Sequence, residues 1–293
     1  MMYSYSDVAV SFVLLCISVI FCQMLRVISR TILPVKYQQY SAEVVSTFQL
    51  VVGFMEGDII LELLGPSGYA IFLFFLIISF ILTFDGAADP GNTFYEFLIG
   101  NVDSRTAVCK VVCQVIGGQF AFPWVRMLWR AEMSNPHAAQ VPLMDSVCPS
   151  CLHVSLMSGA IAEMVATFTY SFVMALEVVG GKMERYVDAG IQVFIIMIGY
   201  TWTGMMFNPA LASALTFNCH NHPFYEHVTV YWLGPLTGVL FHYLLKHHSK
   251  EHKQKDTTVT SRSQGKLEMS YSIIGLSSKS NYNYTLNTDK KDE

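Results

Sequence analysis

The chain has 293 residues, of which 53% are hydrophobic and only 14% charged, with 20 Phe and 15 Met, and its mean hydropathy is +0.41. A water-soluble fold has too much surface to be so poor in charge, so a protein that crosses a membrane several times is expected. Nucleic-acid binding has no electrostatic support: residues 250–293 carry eight Lys/Arg against six Asp/Glu, whereas residues 1–249 carry ten against sixteen.

Seven stretches supply the roughly 20 apolar residues a helix needs to cross a bilayer core: 8–25, 41–62, 68–84, 107–128, 156–179, 187–204 and 227–245. The first has only Asp7 ahead of it and is followed by Arg26, Arg30 and Lys36. It therefore reads as an uncleaved anchor with its N-terminus outside. Arg105, Lys110, Lys182, Arg185, Lys246 and Lys250 then fall on one side and Arg126 and Arg130 on the other. This bias predicts that the first connection and the tail are cytoplasmic.

The second stretch opens with Ala42-Glu43-Val44-Val45-Ser46-Thr47-Phe48, and the fifth with Ala162-Glu163-Met164-Val165-Ala166-Thr167-Phe168, identical at five of seven positions. The two glutamates are 120 residues apart; Asp89-Pro90-Gly91 and Asn208-Pro209-Ala210 are 119 apart. Two landmarks at nearly one offset indicate an internal duplication. Each half has three spans, an odd number, so the second enters the membrane in the opposite sense, with a site expected at the repeat interface.

The pieces 90–100 and 209–219 are too short to span and read as half-helices. Pro90 and Pro209 suit the first helical position, and Asp89 and Asn208 suit the N-cap. Entering from opposite faces, the two would meet N-terminus to N-terminus. Glu43 and Glu163, costly inside a membrane, are expected to support these loops by accepting their backbone N–H groups rather than to relay protons.

The seven cysteines lie mostly in apolar segments and form no secreted disulfide framework. Cys148-Pro149-Ser150-Cys151 reads as a plain loop, ahead of a luminal disulfide or redox pair and, last, a metal site. Cys109 and Cys113 share a helix face, as packing residues. Cys219, His220, His222 and His227 read as a luminal loop rather than a metal site, and no metal or cofactor is expected. Residues 250–293 lack apolar periodicity and are expected to be disordered, and the sequon at Asn283 is taken as chance. No nucleophile, base and orienting group stand together, so an enzyme is not indicated.

These residues resemble the aquaporins. Asn208-Pro209-Ala210, preceded by Thr203-Gly204, and Tyr231-Trp232-Leu233-Gly234-Pro235 with Gly238 resemble the family's second half. Gln114-Val115-Ile116-Gly117-Gly118 resembles a pattern of its first half. The Asp-Pro-Gly first box, Cys219 nine residues after Ala210, Thr47-Phe48-Gln49-Leu50 and the extra N-terminal segment resemble the unorthodox superaquaporin branch. The resemblance implies an all-α membrane fold: an inverted repeat of six transmembrane helices with two re-entrant half-helices, plus an N-terminal membrane helix. The expected divisions are 1–40, N-terminal helix and basic connection; 41–130, first repeat; 131–155, luminal loop; 156–246, second repeat; and 247–293, cytoplasmic tail.

The resemblance also implies a homotetramer that passes water and small neutral solutes such as glycerol or hydrogen peroxide, embedded in lipid. Its residence would be the endoplasmic reticulum, and Lys290 and Lys291 look like a dilysine retrieval signal. In its filter Leu211 replaces the usual Arg, Ile196 the usual His, and Tyr69 lies near the third position. A wider, less water-specific filter is expected. The competing expectation is a poorly conducting protein with a structural or regulatory role. Asp89, unlike Asn208, has no N–H to donate unless protonated.

Overall fold

The structure is a computed structural model describing residues 5–146, 150–177, 179–217 and 223–248. Cys148, Cys219, His220, His222, Asn283, Lys290 and Lys291, with the expectations attached to them, lie outside the described residues. The chain divides into two units, Met1–Tyr243 and Leu244–Glu293; the first is a helical bundle.

Among the described residues there are six long helices: α1 (Tyr5–Ile32), α2 (Val35–Thr83), α4 (Ser104–Trp129), α6 (Leu156–Ala175), α7 (Glu184–Thr203) and α9 (Phe224–His248). Three short ones lie between: α3 (Pro90–Leu98), α5 (Asn135–Ser146) and α8 (Pro209–Thr216). All six long helices except α7 are long and apolar enough to cross a membrane. The first turns of α7 carry Glu184, Arg185 and Asp188, which lower its hydropathy.

At 49 residues, an unbroken α2 would run about 74 Å, more than twice a bilayer core. It turns back instead at Gly65 (φ 67°, ψ −175°), a conformation essentially restricted to glycine. Pro66 then opens the second arm, where a missing N–H costs nothing. The connection expected between the second and third spans is thus a single residue.

The connection 131–155 contains α5, whose Pro136 follows Asn135 at its start. Arg26 and Arg30, which follow the 8–25 stretch, lie inside α1. One expectation is corrected: Lys110, counted as a loop charge, lies inside α4. That helix begins at Asp103, whose carboxylate accepts the Thr106 N–H at 2.7 Å, and this bond holds the carboxyl below its ordinary range.

The repeat is visible in the packing. Gly117 of α4 lies directly on the backbone of Val44 in α2, and Gly238 of α9 on that of Met164 in α6. Any side chain at either glycine would meet a carbonyl oxygen, so each half needs a small residue where its third helix crosses its first.

The additional helix α1 packs on the first half. Phe21 stacks on Trp124 with ring centroids 4.2 Å apart, and Trp124 Nε1 donates to Ser18 Oγ at 2.9 Å. Arg26, 3% exposed, donates from Nε to Asp85 (3.0 Å) and from Nη1 to Gln49 (2.9 Å). Asp85 lies in the segment leading to α3, so α1 holds one approach to the half-helix.

Candidate functional site

The site forms where α3 and α8 start. Asp89 caps α3 by accepting from Gly91 N (2.9 Å) and Asn92 N (3.2 Å). Asn208 caps α8 through Oδ1, accepting from Ala210 N (3.0 Å) and Leu211 N (3.2 Å). Each cap satisfies N–H groups that a helix start leaves without partners. Pro90 and Pro209 occupy the first helical positions, and Pro90, Gly91, Pro209 and Ala210 are buried.

The residues before the boxes are strained in the same sense: Ala88 has φ 54° and Phe207 φ 31°. Left-handed conformations at non-glycine residues cost about 1–3 kcal/mol and persist only where their surroundings hold them. Here the glutamates do so. Glu43 Oε2 accepts from Ala88 N at 3.0 Å, and Glu163 Oε2 from Phe207 N at 2.6 Å.

Both carboxyls are fully buried, and their remaining lone pairs are used differently. Glu43 accepts from Gln114 Nε2 (2.8 Å) and Lys110 Nζ (3.1 Å). Glu163 Oε1 accepts from Thr203 Oγ1 (2.5 Å) and Met206 N (3.2 Å).

The boxes meet asymmetrically: Asn208 Nδ2 donates to the Ala88 carbonyl at 2.8 Å. A carboxylate at Asp89 cannot return the bond to the Phe207 carbonyl, because it has no N–H. One Asn208 N–H is therefore spent on holding the two boxes together.

Beside this junction lies a cavity of about 180 Å³ with two kinds of lining. Asp89, Asn92, Thr167, Tyr170, Ser171, Gln192 and Asn208 form its polar strip, and its apolar lining includes Leu50, Ile77 and Phe80 of α2. Asp188 orients part of the strip, accepting from Tyr170 Oη (3.0 Å) and Gln192 Nε2 (2.8 Å). The sequence reading passed over these three residues. Asp188 and Gln192 share a helix face four residues apart, but nothing local pointed to Tyr170 as their partner.

None of Tyr69, Ile196 and Leu211 lines this cavity. They are 6%, 2% and 2% exposed and belong, with Met206, to the main apolar cluster.

His227 is accounted for by packing: it bonds Ser213 Oγ at 3.1 Å and Thr216 Oγ1 at 3.0 Å, bracing α8. The Tyr-Trp segment of α9 is wound as a π-helix over Val228–Leu233, a form that recurs at functional sites. Its Tyr231 donates to the Thr203 carbonyl (2.7 Å) and its Trp232 to Ser213 Oγ (3.0 Å). Cys109, Cys113 and Cys151 are free thiols. Among the described residues no group of His, Cys, Asp and Glu could hold a metal ion.

Residues 36–245 match the major intrinsic protein family. The chain is 30% identical over 235 residues to aquaporin-12 of Mus musculus, covering 76% of this chain and 80% of that protein. It is 26% identical over 245 residues to aquaporin-11 of Mus musculus, covering 82% and 89%. Among solved structures it resembles the aquaglyceroporin of Plasmodium falciparum, with a TM-score of 0.51 and 15% identity over 69% of this chain and 92% of that one. The family match over residues 36–245 and these relatives identify the chain as a multi-pass membrane channel protein of the major intrinsic protein family, in its aquaporin-11 and aquaporin-12 branch.

Proposed function

We propose that the pore passes water together with small neutral solutes, glycerol and hydrogen peroxide among them, across an intracellular membrane. The observation that carries this reading is the cavity at the half-helix junction. A polyol needs partners for its hydroxyls and tolerates its CH groups against apolar side chains, and the lining supplies both kinds of group. The solved structure that the fold resembles is titled an aquaglyceroporin, which supports the same solute class.

In this mechanism Asn208 offers its remaining N–H to the passing solute and Asp89 accepts, while Asp188 holds the lining residues Tyr170 and Gln192 in place. Each half-helix N-terminus contributes about half a positive charge at the same point. Leu211 and Ile196 supply no hydrogen bonds to strip a solute of its hydration, so selectivity for water over glycerol is low. Membership of the aquaporin-11 and aquaporin-12 branch supports an intracellular membrane. Lys290 and Lys291 would retrieve the protein to the endoplasmic reticulum if the tail is cytoplasmic, as the Lys/Arg distribution favours. A homotetramer completes the proposal.

One observation favours the alternative of a poorly conducting, structural member: Tyr69, Ile196 and Leu211 are all buried, and two of the three are apolar. Stopped-flow swelling of proteoliposomes in glycerol and shrinkage in sucrose separate the two. Water and glycerol permeabilities well above those of empty vesicles support the channel; values equal to empty vesicles support the structural role.

A further inference from the structure

Every residue from Met55 to Ile60 is buried except Asp58, which is exposed. Glu56, two positions earlier, turns away into a buried set: Trp129 Nε1 donates to its Oε1 at 2.6 Å, and His137 Nε2 lies 3.1 Å from its Oε2. Two positions are about 200° apart around a helix, so the two carboxyls have opposite surroundings.

Asp58 instead ends the row Glu43, Thr47, Leu50, Phe54, Asp58, spaced i, i+4, i+7, i+11 and i+15 along one face. Two members of that row already fix where it points. Glu43 grips the segment before α3, and Leu50 lines the cavity. Asp58 therefore faces the bundle axis about 22 Å beyond Glu43, at the Gly65 end. Tyr69, expected near the filter, lies against the adjacent Gly57, with its ring 3.1 Å from where a side chain there would begin.

Among the described residues Asp58 has no hydrogen-bond or ion-pair partner. A carboxyl within a membrane span is costly unless paired or wetted. An exposed position inside a buried stretch meets that requirement only where water enters the bundle.

Among the described residues the cations are engaged elsewhere: Arg126, in the last turn of α4, donates to the Met144 carbonyl at 3.2 Å. Leu211 is buried and apolar, while Arg26 is held by Asp85 at 3.0 Å and Lys110 by Glu43 at 3.1 Å. At the midpoint the two half-helix N-termini sum to about one positive charge, which an Asp89 carboxylate cancels. Beyond it Asp188 backs the polar strip. Carboxyls thus stand at three depths of the path.

We propose that the pore, if it conducts as set out above, also passes small monovalent cations bearing N–H donors and rejects anions, and that Asp58 sets this preference at the Gly65-end mouth. The inference rests on the channel reading and goes beyond it in assigning a charge preference and the residue responsible. A carboxylate accepts hydrogen bonds from such cations and attracts their charge.

Guanidinium, urea and nitrate, planar and of similar size but different charge, are suitable probes. Flux of each into vesicles bearing the full chain is measured with the membrane potential clamped by potassium and valinomycin. In the unchanged protein guanidinium is expected to pass with urea, and nitrate about tenfold more slowly. Asp58→Asn should lower the guanidinium-to-urea ratio about tenfold, while Asp58→Glu retains it.

The ratio in the unchanged protein is itself a test that requires no variant to fold. Guanidinium entry no faster than in empty vesicles, while urea or water passes, would overturn the inference and leave the channel reading standing. An unchanged ratio in a monodisperse Asp58→Asn protein would remove Asp58 from the assignment. If water and urea also match empty vesicles, the channel reading fails and the inference with it.

Discussion

Asn208 Nδ2 donates to the carbonyl oxygen of Ala88 at 2.8 Å, tying the second box to the residue immediately before the first. The duplicated halves offer a mirror-image bond from residue 89 to Phe207, and the carboxylate at Asp89 cannot make it. An aspartate at 89, where the second box has an asparagine, therefore changes the junction's framework as well as its charge.

Asp89→Asn should supply the missing donor while remaining an equally good helix cap. A net hydrogen bond contributes about 1 kcal/mol, so detergent-solubilised protein should melt higher by a few degrees. The guanidinium-to-urea ratio should fall, because the half-helix field is no longer cancelled. Equal melting and equal ratios would mean that Asp89 acts only as a cap.

Glu163→Ala leaves the Met206 and Phe207 N–H groups and the Thr203 hydroxyl without their acceptor. Unsatisfied buried donors cost about 1–3 kcal/mol each, so this variant should be among the least stable single substitutions and should lose flux. Lys110→Ala, which removes one part-exposed contact to Glu43, should be far milder. Fluorescence-detected gel filtration after heating ranks the two; Lys110→Ala melting as low as Glu163→Ala would refute the ranking.

Much of this junction was legible before any coordinates, because its landmarks are short-range and duplicated. A proline preceded by a capping residue marks a half-helix start wherever it occurs, and the common offset paired Asp89 with Asn208 and Glu43 with Glu163. Their relation to Ala88 and Phe207 required the backbone, since nothing in either side chain advertises a positive φ. Pairings across the bundle left no trace of this kind. Arg26 and Asp85 are 59 residues apart, and Glu56 and His137 are 81 apart. Neither pair has a periodic signature, and Arg26 read as a flanking charge. Asp58 was hidden differently: in a span judged by its average hydropathy one carboxyl is unremarked, and its significance lies in which face it occupies.

Arg26→Ala should loosen α1, since the guanidinium bonds Asp85, Gln49 and Ser46 from a nearly fully buried position. Removing one partner of a buried pair costs about 3–5 kcal/mol, although Arg30 still reaches Asp85 at 3.2 Å and reduces that figure. Arg26→Ala combined with Asp85→Ala should be less destabilising than the sum of the two. Additive losses in thermal melts would show that the residues do not act together.

Gly65→Ala should destabilise by about 1–3 kcal/mol through backbone strain alone, because nothing lies within 4 Å of the added carbon. Gly180→Ala, where there is equal room and no positive φ, is the matched control. Equal melting of the two would contradict the sharp turn at Gly65.

The central claim is that solute passes through the cavity beside Asp89 and Asn208. Ser171 lines it and is not part of the hydrogen-bonded framework that holds the half-helices, so Ser171→Trp should plug most of the approximately 180 Å³ while the bundle stays folded. Water and glycerol permeabilities of vesicles bearing monodisperse Ser171→Trp protein are predicted to fall to those of empty vesicles. Permeabilities equal to those of the unchanged protein would place the conducting path elsewhere and contradict the account.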